Sequence, residues 1–243
     1  SCKNTKFAGI FVIPQTKKIN IMTISPVFKQ RFNLSVVLAL SVLFSVVLIA
    51  YRYHFTGTKL YLFFYWNLLL AIIPYLLSSL VVLYPPKNKN NLMVYLLIAV
   101  WLLFFPNAPY ILTDLFHLRA KPPVPFWYDL VLILSCAWNG LILAIVSLWD
   151  MQQLLNRLFN RTFGWIFALS ALVLSSFGIY LGRYLRFNSW DIVSNPQPLF
   201  LDIWDRIINP LSHTSTYGVT ILFSTFLIIL YLTIHQIKQL TNN

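Results

Sequence analysis

The 243-residue chain is 58% hydrophobic, 17% aromatic and only 10% charged, with a mean hydropathy of +0.71. Soluble domains carry about 25% charged residues, so this composition excludes an ordinary soluble enzyme or binding domain. Eighteen Lys and Arg against six acids, all of them Asp, give a net charge of +12. In so apolar a chain the basic residues report topology and attraction to anionic lipid; no nucleic-acid partner is expected.

The expected fold is all-α: a polytopic membrane helix bundle of about six transmembrane helices, forming one domain over residues 33–237. Residues 1–32 carry Lys3, Lys6, Lys17, Lys18, Lys29 and Arg31 and are expected to be a mobile, basic cytoplasmic arm. Met22 lies just ahead of the first span, so residues 1–21 also read as an over-extended start. Residues 238–243 are expected to be a short cytoplasmic tail.

Six apolar spans follow, at about residues 33–51, 60–84, 92–105, 126–149, 163–182 and 217–235. A bilayer core about 30 Å thick calls for about 20 helical residues, and every span but the third reaches that length. Pro74 marks an expected kink in the second. Tyr and Trp residues cluster near the span ends, as in interfacial belts. With the N-terminus inside, 11 Lys and Arg fall on the cytoplasmic side and 7 outside, which favours cytoplasmic N- and C-termini.

The third span stops short. Residues 92–105 make roughly 21 Å of helix at about 1.5 Å per residue. Pro106 and Pro109 remove backbone donors there, so a break is expected at Pro106–Pro109. Irregular backbone at membrane depth survives only where protein or trapped water satisfies it, which marks the break and its Asn107 as the lining of a cavity. Beyond it, Tyr110, Thr113, Asp114 and His117 fall on one face of an expected short helix.

A second polar element ends the fifth span. Arg183 and Arg186 are neighbours at i, i+3 if the helix continues, and Asn188, Ser189 and Asp191 follow at once. An unpaired charge at membrane depth costs about 2.5–3.5 kcal/mol, so Asp114 is expected to pair with Arg183 or Arg186, and Asp191 with the other. The candidate polar site is therefore Asn107, Tyr110, Asp114, His117, Arg183, Arg186, Asn188 and Asp191, in an outward-facing pocket.

Other polar residues read as structural. Residues 199–208 form an expected amphipathic outer helix, with Leu199, Ile203 and Ile207 on one stripe and Asp202, Asp205 and Arg206 on the other. Asp129 opens the fourth span, where it complements the helix dipole. Asn139, near mid-membrane, is expected to hydrogen-bond a neighbouring helix, and Cys136 to pack as a small apolar residue.

Residues 101–118 (WLLFFPNAPYILTDLFHL), Trp127-Tyr128-Asp129 and residues 182–191 (GRYLRFNSWD) together resemble a family of bacterial multi-pass membrane proteins, catalogued as domain of unknown function 1361. The resemblance runs over about residues 34–235. It implies a bacterial integral membrane protein, expected in the inner membrane, and supplies no catalytic residue, substrate or cofactor.

Two classes of function stay open. One is a binding, transport or structural role, with membrane lipid and an anionic or zwitterionic small molecule or headgroup as partners. The other is a membrane-embedded enzyme acting on an anionic lipid-linked substrate, with Arg183 and Arg186 holding phosphate and Asp114 or His117 as base. No HExxH, GxSxG or phosphate-cradling glycine loop accompanies those residues, and no cofactor motif is present. Asp114, His117 and Asp191 are the donors that a metal would need, and two or three such donors without a recognised spacing do not define a metal site.

Overall fold

The computed structural model describes residues 26–86 and 92–241, with the side chains of Lys238, Gln239 and Thr241 apart. The arm over residues 1–25, Lys87 and Lys89, and the last residues of the tail lie outside the described residues. Every regular element within them is helical. The long helices are α1 (Pro26–Thr56), α2 (Phe63–Leu83), α3 (Leu92–Phe104), α5 (Phe126–Leu158), α6 (Arg161–Tyr184) and α9 (Thr214–Thr241). Short α4 (Asn107–Tyr110) and a 3-10 segment (Ile111–His117) continue α3; α7 (Asp191–Ser194), α8 (Pro196–Ile208) and a 3-10 turn (Pro210–His213) join α6 to α9. Six segments are long and apolar enough to cross a membrane, the third of them being the whole run Leu92–His117.

The first helix begins at Pro26, ahead of the start at residue 33, so Lys29 and Arg31 belong to α1. Helix α2 runs through Pro74 without interruption.

Helix α5 is the central post. It packs against α1, α2, α4, the 3-10 segment and α6, whereas α9 rests chiefly on α6. Small residues make this close packing possible, since lipid tails give helices no hydrophobic drive to associate and van der Waals fit must hold them. Cys136, Ala137, Gly140 and Ala144 are all buried.

Three polar rungs join α1 to α5. At mid-helix, Asn139 donates to the Ser41 carbonyl and to Ser45 Oγ. Toward one end, Arg31 pairs with Asp150 at 2.7 Å, and Ser78 of α2 donates to the same carboxylate oxygen. Toward the other, Arg52 pairs with Asp129 at 2.8 Å. Asp129 lies in the first turn of α5, where it complements the dipole, and is fully buried there as the partner of Arg52 and Tyr61. Burial, and then the Asp129 charge and hydrogen bond, push the Tyr61 hydroxyl up to about 12.

The amphipathic helix α8 turns members of both expected stripes inward. Leu199, Asp202, Ile203 and Arg206 are turned toward the protein, and Arg206 is buried over the Tyr180 ring at 5.9 Å. Phe200, Leu201, Trp204, Ile207 and Ile208 are exposed. The sequence pattern separates two stripes but does not say which one faces the protein. In a membrane the more apolar stripe belongs to the lipid, and Arg206 keeps Asp202 as its ion partner at 3.1 Å. Asp205, outside the spans, accepts from Asn209 and from His213, and these bonds hold its carboxyl below the usual carboxylate range.

Candidate functional site

The prolines break the hydrogen-bond ladder while the chain keeps helical dihedrals: Pro106 has φ −59° and ψ −26°. Ala108 N–H donates to the Phe105 carbonyl, an i→i−3 bond that leaves the Phe104 carbonyl without its ordinary partner. Asn107 Nδ2 supplies the missing bond at 2.9 Å and also donates to Ser189 Oγ at 2.8 Å. One side chain thus heals the break and ties it to the loop after α6. The chain then tightens into the 3-10 segment that carries Asp114 and His117.

The break reaches the middle of the bundle because glycines receive it. A Cβ on Gly140 of α5 would lie 2.3 Å from the Ala108 carbonyl oxygen. On α6, a Cβ on Gly178 would meet the Pro106 ring at 3.0 Å, and one on Gly182 the Tyr110 ring at 3.1 Å. Gly178 and Gly182 are four apart and face the same segment, the small-xxx-small arrangement that lets membrane helices approach.

Asp114 is 1% exposed. Its Oδ1 accepts from Arg183 Nη1 at 3.1 Å and its Oδ2 from Asn67 Nδ2 at 2.8 Å. Arg183 Nη2 donates to the Thr113 carbonyl at 2.7 Å. The guanidinium also lies over the Phe116 ring at 5.5 Å and the Tyr110 ring at 5.9 Å. A planar fork serves two acceptors at once, as the ammonium of Lys would not. The charges cancel and the polar atoms bind each other.

The remaining candidate residues divide. His117 is 47% exposed, with Nε2 4.0 Å from Asp114 Oδ1 and its ring against Phe63. Arg186 lies past the end of α6 with φ 62°; it is exposed, and no acid lies within ion-pair distance of it among the described residues. The helix stops at Tyr184, so Arg183 and Arg186 do not share a face. Asp191 does not pair with Arg186. It closes its own turn, accepting from Asn188 N at 2.6 Å and Ser194 Oγ at 3.2 Å. Asp114, His117 and Asp191 are not brought together, and no group of three His, Cys or acidic side chains suited to a metal occurs among the described residues.

Asn107, Tyr110 and Asn188 line a cleft of about 630 Å³ between α2, α3, α6 and α8. Its walls are apolar, among them Leu102, Leu103, Leu174, Phe177, Leu181 and Ile203. Asn67 and Ser189 complete its polar end. Asp114 and Arg183 lie behind that end, reached through Asn67. Sequence reasoning missed Asn67, although a lone amide within the apolar second span was a signal. A second cleft of about 600 Å³ runs between α1 and α2, with Arg31, Ser35, Tyr75 and Ser79 among its lining. Those polar groups bond to one another: Arg31 donates to Ser79, and Ser35 Oγ meets Tyr75 Oη at 2.6 Å.

A bundle of six membrane-length apolar helices with its buried charges compensated in pairs is the architecture of a multi-pass membrane protein. The family described as "protein of unknown function (DUF1361)" matches residues 66–230, and the chain belongs to that family. The match runs from α2 into α9 and is narrower than residues 34–235, omitting α1. No curated protein and no solved structure matches the chain.

Proposed function

We propose that this protein binds a membrane amphiphile, as carrier or receptor, with the acyl part against the leucines of the cleft and the headgroup at its Asn–Ser end. The observation that carries this reading is the cleft itself. Its 630 Å³ has apolar walls and one polar end, the pattern of a site that orients a mostly apolar ligand through a few polar groups. The lipid-facing stripe of α8 supports it, because Leu199 and Ile203 on the opposite side of that helix border the cleft. The buried Asp114–Arg183 pair serves as the scaffold behind the polar end. A phosphate clamp built from Arg183 and Arg186 is less well supported, since Arg183 is spent on Asp114 and Thr113.

We further infer a bacterial inner membrane with both termini cytoplasmic. Arg31, Arg52, Arg183 and Arg206 are held in ion pairs and are not free flanking charges. Leaving them out changes the count of Lys and Arg from 11 against 7 to 10 against 4, in favour of the same orientation. Cysteines placed at Arg157 and Arg119 should be labelled from opposite sides of the membrane; labelling from one side would reject the orientation.

Native mass spectrometry of the detergent-purified protein tests the binding. Wild type should retain a lipid that Ala99→Trp, which fills the cleft from an exposed lining position, releases. Leu40→Trp, on the exposed face of α1, should retain it. Equal retention by all three would overturn the reading.

A further inference from the structure

The hydrogen-bonding state of the cleft's polar end specifies the headgroup. Asn107 spends both amide hydrogens, on the Phe104 carbonyl and on Ser189 Oγ. Asn67 directs its amide nitrogen at the Asp114 carboxylate, 2.8 Å away. Asn188 turns its amide nitrogen toward Asp191 at 3.5 Å. Each orientation is set by chemistry: an amide oxygen cannot face a carbonyl or a carboxylate as partner, so the nitrogen must. All three amides therefore keep Oδ1, a pure acceptor, without a donor among the described residues. Against these stand two hydroxyls, Ser189 and Tyr110. Ser189 accepts from Asn107 and has its hydrogen to give; the Tyr110 hydroxyl has no hydrogen-bond partner among the described residues.

A site of three free carbonyl-type acceptors, two hydroxyls and no net charge from the neighbouring ion pair repels a phosphate, whose oxygens only accept. It welcomes a group that donates. Ammonium donates too, but no carboxylate among the described residues lines the cleft and Asp114 is already spent on Arg183 and Asn67, so a cation would lack a counter-charge. We propose that the ligand is an uncharged, hydroxyl-bearing amphiphile: a lipid whose headgroup is a sugar or polyol, each hydroxyl donating to one Asn and accepting from Ser189 or Tyr110. The proposal rests on amphiphile binding in this cleft and replaces an anionic headgroup with a donor-rich neutral one.

The test is lipid competition in nanodiscs read by native mass spectrometry, with glucosyl-diacylglycerol, phosphatidylcholine and phosphatidic acid of identical acyl chains. The glycolipid should be retained about tenfold over either phospholipid, the effect of one or two net hydrogen bonds. Asn188→Leu, which removes one acceptor at an exposed position, should reduce that preference severalfold, and an unchanged preference would overturn the headgroup proposal. Methyl glucoside, the headgroup without chains, should not displace the lipid; displacement would show a free sugar to be the ligand and overturn the lipid assignment. Preference for phosphatidic acid, or none among the three, would overturn the headgroup proposal while leaving amphiphile binding intact. Retention of no lipid, or retention unaffected by Ala99→Trp, would overturn both.

Discussion

Arg31 and Asp150 meet at 2.7 Å across the α1–α5 interface, and Arg52 and Asp129 repeat the contact near the other ends of the same two helices. The two arginines are 21 residues apart, and so are the two aspartates. At about 1.5 Å per residue that is roughly 32 Å, close to the ~30 Å thickness of a bilayer core. Antiparallel helices with equal charge spacing can close both pairs in only one register. Removing one partner of such a pair leaves a buried charge. Asp150→Ala should therefore destabilise the protein by about 3–5 kcal/mol, seen as a lower Tm in detergent. The double variant Arg31→Met, Asp150→Leu should recover most of that loss. A single variant as stable as wild type would show the pair to be idle.

The glycine beneath the break gives a second prediction. Gly140→Ala places a methyl 2.3 Å from a backbone oxygen, which cannot swing aside as a side chain would. It should cost about 1–3 kcal/mol, the usual penalty of overpacking. Gly218→Ala, with nothing within 4 Å, is the control and should be neutral or slightly stabilising. Equal thermal stability of the two variants would contradict the close approach of α4 to α5.

Asp114 anchors two elements at once, through Asn67 of α2 and Arg183 of α6. Asp114→Asn should cost about 3 kcal/mol by leaving Arg183 uncompensated. It should also free the Asn67 amide to turn its nitrogen into the cleft, weakening ligand retention. In a double-mutant cycle with Arg183→Gln the two changes should be non-additive. Simple additivity would place the two residues in separate roles.

Tyr61 gives the pH dependence. Its raised ionisation point means that folding opposes loss of the proton. The stability it contributes is whole below about pH 10, the ordinary tyrosine value, and is lost as the pH climbs toward about 12. Asp129→Asn removes a nearby negative charge and should lower the onset. The tyrosinate absorbance of wild type minus Tyr61→Phe measures it. A Tyr61 signal already complete near pH 10 would contradict the buried Asp129–Tyr61 contact.

Much of this was written in the chain. Span lengths foretold six apolar helices, and the two prolines foretold the interrupted third. Helix counting puts Asp114 near the same end of the bundle as Arg183 and Arg186, and the structure selects Arg183 of the two. What was missed has local causes. A continued α6 would set Arg186 beside Arg183; the helix ends at Tyr184 and Arg186 turns into left-handed backbone. A first span starting at residue 33 leaves Arg31 in the arm and conceals its matched spacing with Asp150. The cleft was not legible because its shape depends on how closely Pro106 and Tyr110 approach Gly178 and Gly182, a matter of tenths of an ångström between distant segments.

The most direct measurement is photocrosslinking in nanodiscs with a lipid carrying a diazirine on its acyl chain, the adducts mapped by mass spectrometry. If the cleft holds the amphiphile, adducts will concentrate on Leu102, Leu103, Leu174 and Ile203 and will fall when unlabelled lipid competes. Adducts spread evenly over exposed residues such as Leu40, Leu222 and Ile229, with no saturation, would mean that the bilayer wets the cleft without a bound ligand and would contradict the account.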